Sequence, residues 1–335
     1  MLRWMQACPK RLGLVGAATA TRSALTWRPR RVHSALRVYR LFIVSMLLIT
    51  LGACADAEDD AYTPAFSDTP PVVTTEYLFG VHPLHNPQHL FAVFGPLMDF
   101  LSEHIPGARF KLEASRNYAA FDKKLYAKKF HFALPNPFQT ISAVDKGYRV
   151  FGKMGDDHNF RGIILVRKDS GITKVSDLKG KSVSYPAPTA LAATMLPQYY
   201  LQTHGLDVMQ DVDNRYVGSQ ESAVMNVFLK QTHAGATWPP PWRALSKARP
   251  ELKAALKVIW RTDPLPNNGL VVLSDVPDSV AKRVHDLMVH LHEHERGQRI
   301  LEAMQLSRFE NADNATYQPV RDFIKIFEQK VRPLR

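Results

Sequence analysis

Cysteine is almost missing from this 335-residue chain, which has Cys8 and Cys54 and no other. That rules out a disulfide framework, a cysteine-rich metal site and, beyond residue 54, a thiol nucleophile. Acidic residues are missing from positions 1–53, which hold nine Lys and Arg and no Asp or Glu. The formal net charge of +12 is therefore concentrated at the N-terminus, and the remainder has 34 basic residues against 31 acidic ones, a net charge of +3. So balanced a remainder offers no general field for a polyanion and excludes nucleic acid as a partner on electrostatic grounds. The apolar run Leu41–Leu51 is too short for a stable bilayer span. There is no Gly-x-Ser-x-Gly elbow and no phosphate loop, so catalysis is not expected and no cofactor is implied. No internal repeat or low-complexity tract breaks the chain.

With 45% hydrophobic residues, the chain has enough apolar material for two compact units. Arg37 and Arg40 precede the apolar run, which ends in Leu51-Gly52-Ala53-Cys54. A basic flank, a short apolar stretch and a small-residue stop read as an export signal. The last four residues resemble a bacterial lipobox, which implies cleavage before Cys54, acylation of that thiol and anchorage to a membrane facing the periplasm. Residues 1–53 are thus expected to be the signal. Residues 54–75, rich in Asp, Ala, Thr and Pro, are expected to be a flexible tether.

From Glu76 onward, short apolar runs alternate with amphipathic segments, the grammar of an α/β fold with largely parallel strands. Strands are predicted at Tyr77–Val81, Arg109–Leu112 and Phe130–Leu134, and helices at Leu90–His104 and Tyr118–Lys129. The same order returns from Ser182 onward, with one helix predicted from Ala190 to His204. Pro264-Leu265-Pro266 carries the chain back to an apolar strand at Gly269–Leu273, and helices close it from about Val280 to Met304 and from Val320 to Val331.

Several stretches in this order resemble the phosphate, phosphite and phosphonate-binding proteins of ABC importers. They are Tyr118-Ala119-Ala120, Arg161–Ser170 (RGIILVRKDS), Asp177–Lys181 (DLKGK), Leu196–Tyr200 (LPQYY), and Gly218–Val224 (GSQESAV) running on to Ala234-Gly235-Ala236. The resemblance implies a two-lobed periplasmic-binding-protein fold of type II, with two α/β lobes joined by two crossover strands. Residues 76–168 with 266–335 would form one lobe and 169–265 the other. It also implies a monomer that encloses a small-molecule ligand when the lobes close. The partner is then an ABC permease with its ATPase, or alternatively a membrane sensor kinase.

The family holds its phosphoryl group in a hydroxyl-rich turn at a helix N-terminus, which falls here on Ala190-Leu191-Ala192-Ala193. Only Thr189 is left to cap that helix or to offer a hydroxyl. The family's Gly-Ser-His becomes Gly218-Ser219-Gln220, replacing an imidazole by an amide that cannot carry charge. Tyr118 matches the family's helix-start tyrosine, and Phe160 its hinge aromatic. Asn136 and Phe138 follow a strand at its carboxyl end, where open α/β sheets bind ligands. Trp238 and Trp242 offer ring faces for stacking, or pack a Pro-linked corner. The expected ligand contacts are Tyr118, Asn136, Phe138, Phe160, Thr189, Ser219, Gln220 and Trp238.

A competing reading places a zinc or copper ion on His82, His85 and His89 at the end of the first strand, although no carboxylate or Cys lies close by. A second cluster, His290, His292, Glu293 and His294, puts His290 and His294 on one helical face. Its order is not that of a zincin, and a solvated surface is expected.

Overall fold

The computed structural model describes residues 74–334, so the expected signal, the expected lipidation site Cys54 and nearly all of the expected tether lie outside the described residues. Two sheets organise this part. The first contains β1 (Thr75–Val81), β2 (Ala108–Glu113), β3 (Phe132–Leu134), β4 (Tyr148–Met154), β10 (Gly269–Leu273) and β11 (Phe309–Glu310), in the order β11-β4-β10-β3-β1-β2. The second contains β5 (Ile163–Arg167), β6 (Lys181–Tyr185), β7 (Val212–Tyr216), β8 (Ala234–Thr237) and β9 (Leu256–Arg261), in the order β7-β6-β8-β5-β9. Each sheet with its helices is a lobe.

The strands are not largely parallel as expected. β1 runs parallel to β2 and β3, and β6 to β7 and β8, but β10 is antiparallel to β3 and β4, and β5 to β8 and β9. In both sheets the strand that follows a crossover from the other lobe runs antiparallel to its neighbours, and in the first sheet β11 is also antiparallel to β4. The crossovers lie between Met154 and Ile163 and between Arg261 and Gly269, so the first precedes the expected boundary at 168. They are bonded to each other: Gly162 N–H donates to Thr262 Oγ1 at 2.9 Å, and Thr262 N–H to Gly162 O at 3.0 Å.

Local chemistry sets the helix ends. α1 (Pro87–His104) begins earlier than predicted, because Asn86 accepts the His89 N–H and Pro87 needs no acceptor in the first turn. Its buried residues are Leu90, Val93, Phe94, Leu97, Met98, Phe100 and Leu101. α2 (Tyr118–Tyr126), capped by Asn117, stops before Lys129, and Lys128 takes a left-handed conformation at φ 56°. The single helix expected from Ala190 to His204 is a π-helical turn, Leu191–Met195, leading into α4 (Leu196–Thr203). Pro197 explains the widening: it has no N–H to donate, and its ring crowds the carbonyl four residues back. Leu196 N–H accordingly reaches Leu191 O, five residues back. Thr189 does not cap this helix, whose N-cap is Ala190 with no side-chain bond.

A Cβ on Gly162 would stand 2.7 Å from Ala192 O and from the Pro197 ring, so the crossover passes the π turn with no room for a methyl group. Gly162→Ala is expected to destabilise the protein by about 1–3 kcal/mol, measured by urea or thermal melting. An unchanged midpoint would show that the turn moves aside freely.

α3 (Pro137–Val144), α5 (Gln220–Phe228), α6 (Pro239–Ala248), α7 (Pro250–Ala255), α8 (Asp278–Val289), α9 (Glu295–Met304) and α10 (Gln318–Lys330) complete the layers. The core of the first sheet continues through Phe160 into Ala187, Ala190–Ala193 and Trp238 of the second lobe, so the two lobes meet over apolar surface. α8 ends before His290, and a 3-10 turn (Leu291–Glu293) follows, so His290 and His294 do not share a helical face. Among the described residues no helix is long and apolar enough to cross a membrane.

Candidate functional site

The interlobe site is built from helix starts. Tyr118 opens α2 behind the Asn117 cap, and Gln220 opens α5 behind Ser219. They meet across the cleft, where Gln220 Nε2 donates to Tyr118 Oη at 3.3 Å and Thr237 Oγ1 donates to Gln220 Oε1 at 2.7 Å. Burial raises the Tyr118 hydroxyl pKa well above its usual range, so the group stays protonated. Asn136 caps α3 in a capping box with Gln139, and its Nδ2 donates across the cleft to Thr189 O at 3.1 Å. Behind it, Gln139 Nε2 donates to Asp122 Oδ1 at 2.5 Å.

Tyr118, Asn136, Gln220 and Trp238 surround one deep pocket together with His82, Phe160 and the turn Ala190–Ala193. Phe160 and Trp238 pack edge to face, ring centres 5.5 Å apart, and close its apolar side. The first N–H groups of the turn have no intrahelical acceptors and carry the positive end of the helix dipole, which suits an oxyanion. No Lys or Arg lines the pocket. His82 is neutral, with its pKa lowered to about 4 by burial against the opposing bond of its Nδ1 to Leu134 O at 2.9 Å. The pocket volume is only about 10 Å³, close to that of one water probe.

A second cavity, of about 430 Å³, has exposed residues such as Gln88, His89 and Glu221 in its wall and lies between the start of α1, the start of α5 and one side of α6. Gln220 lines both spaces.

Not every expected contact reaches the pocket. The Ser219 hydroxyl is used as a cap, accepting the Ser222 N–H at 3.0 Å and donating to Ser222 Oγ at 2.9 Å, and the residue lines the outer cavity instead. Thr189 contributes its carbonyl to the Asn136 bond and lines neither space, and Phe138 packs against the first core. Trp242 packs on the apolar cluster at the flank of the second sheet.

The three histidines of the metal reading do not converge on one point. His82 turns into the wall beside Tyr118 and Phe121, while His85 and His89 face each other edge-on at 4.4 Å. Among the described residues, no group of three His, Cys, Asp or Glu is placed to hold an ion.

Sequence reasoning missed Asn268. It is fully buried, lines the deep pocket, and has an Oδ1 with no hydrogen-bond partner, while its Nδ2 approaches Met154 Sδ at 3.3 Å. A terminal amide can turn over, so Asn268 presents either a donor or an acceptor to the pocket. Two consecutive amide residues after Pro264-Leu265-Pro266, where the chain re-enters the first lobe, were the available signal.

Comparison with known proteins agrees with this geometry. Residues 79–317 match the family described as ABC transporter, phosphonate, periplasmic substrate-binding protein. The phosphonates-binding periplasmic protein of Escherichia coli is 20% identical over 251 residues, covering 72% of this chain and 74% of that one. The fold is shared with a binding-protein component of the ABC phosphonate transporter of Pseudomonas aeruginosa, at TM-score 0.71 and 20% identity over 77% of this chain and 88% of that one. It is shared also with a Prochlorococcus marinus protein in complex with methylphosphonate, at TM-score 0.70 and 17% identity over 76% and 98%. A match over well over half its length places this chain in the family of periplasmic substrate-binding proteins of phosphonate ABC transporters.

Proposed function

We propose that this protein is a lipid-anchored periplasmic receptor, tethered through Cys54, that encloses a phosphorus oxyanion between its lobes and hands it to an ABC permease without catalysing a reaction. The observation that carries this reading is the convergence of both lobes on one pocket. Tyr118 and Asn136 come from the first lobe, Gln220 and the Ala190–Ala193 turn from the second, and Gln220 bonds directly to Tyr118. Backbone N–H groups and neutral amides stand where the family has hydroxyls and an imidazole. The pocket as it stands is too small for a phosphonate head. Ligand entry therefore parts the lobes and competes with the Gln220–Tyr118 and Asn136–Thr189 bonds, which reduces apparent affinity by the population of the open form.

Calorimetric titration of the purified full chain with methylphosphonate, phosphite and phosphate tests this reading. Binding is expected with at least one of them. Gln220→Ala is expected to weaken it about tenfold, the loss of a hydrogen bond of roughly 1.4 kcal/mol. No heat with any of the three would overturn the oxyanion assignment.

A further inference from the structure

We infer that the solute this cleft selects carries a ring-sized, largely apolar organic group, seated in the outer cavity while its oxyanion head lies in the deep pocket. The inference rests on the oxyanion reading above and adds the substituent. Between the two spaces the difference in room decides the matter: about 10 Å³ inside against about 430 Å³ outside. Organic-ligand pockets run from roughly 300 to 1,000 Å³, so only the outer space accepts more than a methyl group.

Continuity comes from Gln220, whose side chain stands at both spaces. Its 3.3 Å bond to Tyr118 is long for an N–H···O contact and is the one a bound head group would replace. Displacing that amide joins the two spaces into a single site.

Wall chemistry sets the class of substituent. Leu84, Val224, Pro241, Ala244 and Leu245 present apolar surface, and Glu221 is the only carboxylate among the lining residues, which include no Lys or Arg. His85 is neutral, its pKa lowered to about 3 by burial and by the neighbouring His89 and His82. A second acid on the ligand would meet the Glu221 carboxylate with no cation to offset it, whereas an uncharged ring would meet apolar walls and two imidazole faces. Room exists because the walls are trimmed: Ala92 stands on α1, and Ala244 and Ala248, four residues apart, share one side of α6.

Titrating the purified full chain with phenylphosphonate and with methylphosphonate tests the inference. Phenylphosphonate is expected to bind at least tenfold more tightly. Ala244→Trp fills the cavity and is expected to lower the phenyl-to-methyl affinity ratio at least tenfold; Ala248→Phe serves the same purpose if the first variant does not fold. Equal or tighter binding of methylphosphonate, or a ratio unmoved by filling the cavity, overturns the inference and leaves the oxyanion reading standing. If neither compound binds, the inference falls, and the oxyanion reading falls with it only if phosphite and phosphate also give no heat.

Discussion

Lys153→Met lowers the stability of the folded part by about 3 kcal/mol, seen as a fall of roughly 6–10 °C in melting temperature. Lys153 lies on β4 with its side chain only 7% exposed, and its ammonium sits 2.8 Å from Asp157 Oδ1 and 2.6 Å from Glu310 Oε2. The same Asp157 oxygen accepts the Asn267 N–H at 3.0 Å, and Asn267 Nδ2 donates to Gly155 O at 2.7 Å. One cation thus ties β4, β11 and both crossovers together. Its removal leaves two carboxylates facing each other, and the expected loss is set near the lower end of the range for broken buried pairs because Asp157 and Glu310 are 45% and 31% exposed.

Acid titration gives the second readout for this variant. Burial pushes the Glu310 carboxyl upward, but the Lys153 and Arg308 bonds outweigh it and hold the pKa below the usual range. A depressed carboxylate contributes stability above its unfolded pKa and loses it as pH falls through the folded value. The gap between wild type and variant should therefore narrow in that acidic window. A Lys153→Met protein melting within 2 °C of wild type at neutral pH would show that the cluster does not hold the crossovers.

Asp122→Asn is expected to act in the opposite direction, stabilising the protein by about 2 kcal/mol at pH 7.5 and by little at pH 4. Burial raises the Asp122 pKa to about 6, against the opposing Gln139 bond. Because the folded pKa exceeds the unfolded one, the favourable contribution is fully present below the unfolded value of roughly 3.9 and is lost as pH rises through about 6. An asparagine oxygen still accepts from Gln139 Nε2, so the chain of bonds to Asn136 survives the substitution. Melting curves at the two pH values check this, and equal midpoints at pH 7.5 would show that the Asp122 carboxylate is hydrated at no cost.

Much of the fold was legible because it is written in short-range signals. Asn117 and Ser219, each just before a buried helical face, mark helix starts that the structure keeps, and the apolar runs Tyr77–Val81 and Gly269–Leu273 are strands. Ambiguity entered where a local signal admits two outcomes. Thr189 before an apolar run reads as a cap, yet Pro197 eight residues later sets the helix start through its missing N–H, and the cap passes to Ala190. Ser219 is expected from the sequence as a ligand contact, and only the position of Ser222 decides that the hydroxyl is used internally as a cap.

By itself the sequence determined the order of strands and helices, the charge-neutral character beyond the N-terminal segment and the family, because periodicity, caps and motifs act within about a dozen residues. Only the tertiary structure decided which polar groups face each other across the cleft. Gln220 meets Tyr118 from 102 positions away, and Asn268 enters a pocket whose other walls are formed before residue 239. It also decided that the strand after each crossover runs antiparallel, and that a nearly filled inner pocket adjoins a roomy outer one. Those facts follow from the packing of two lobes against each other, where the volume left over depends on every side chain that reaches the interface.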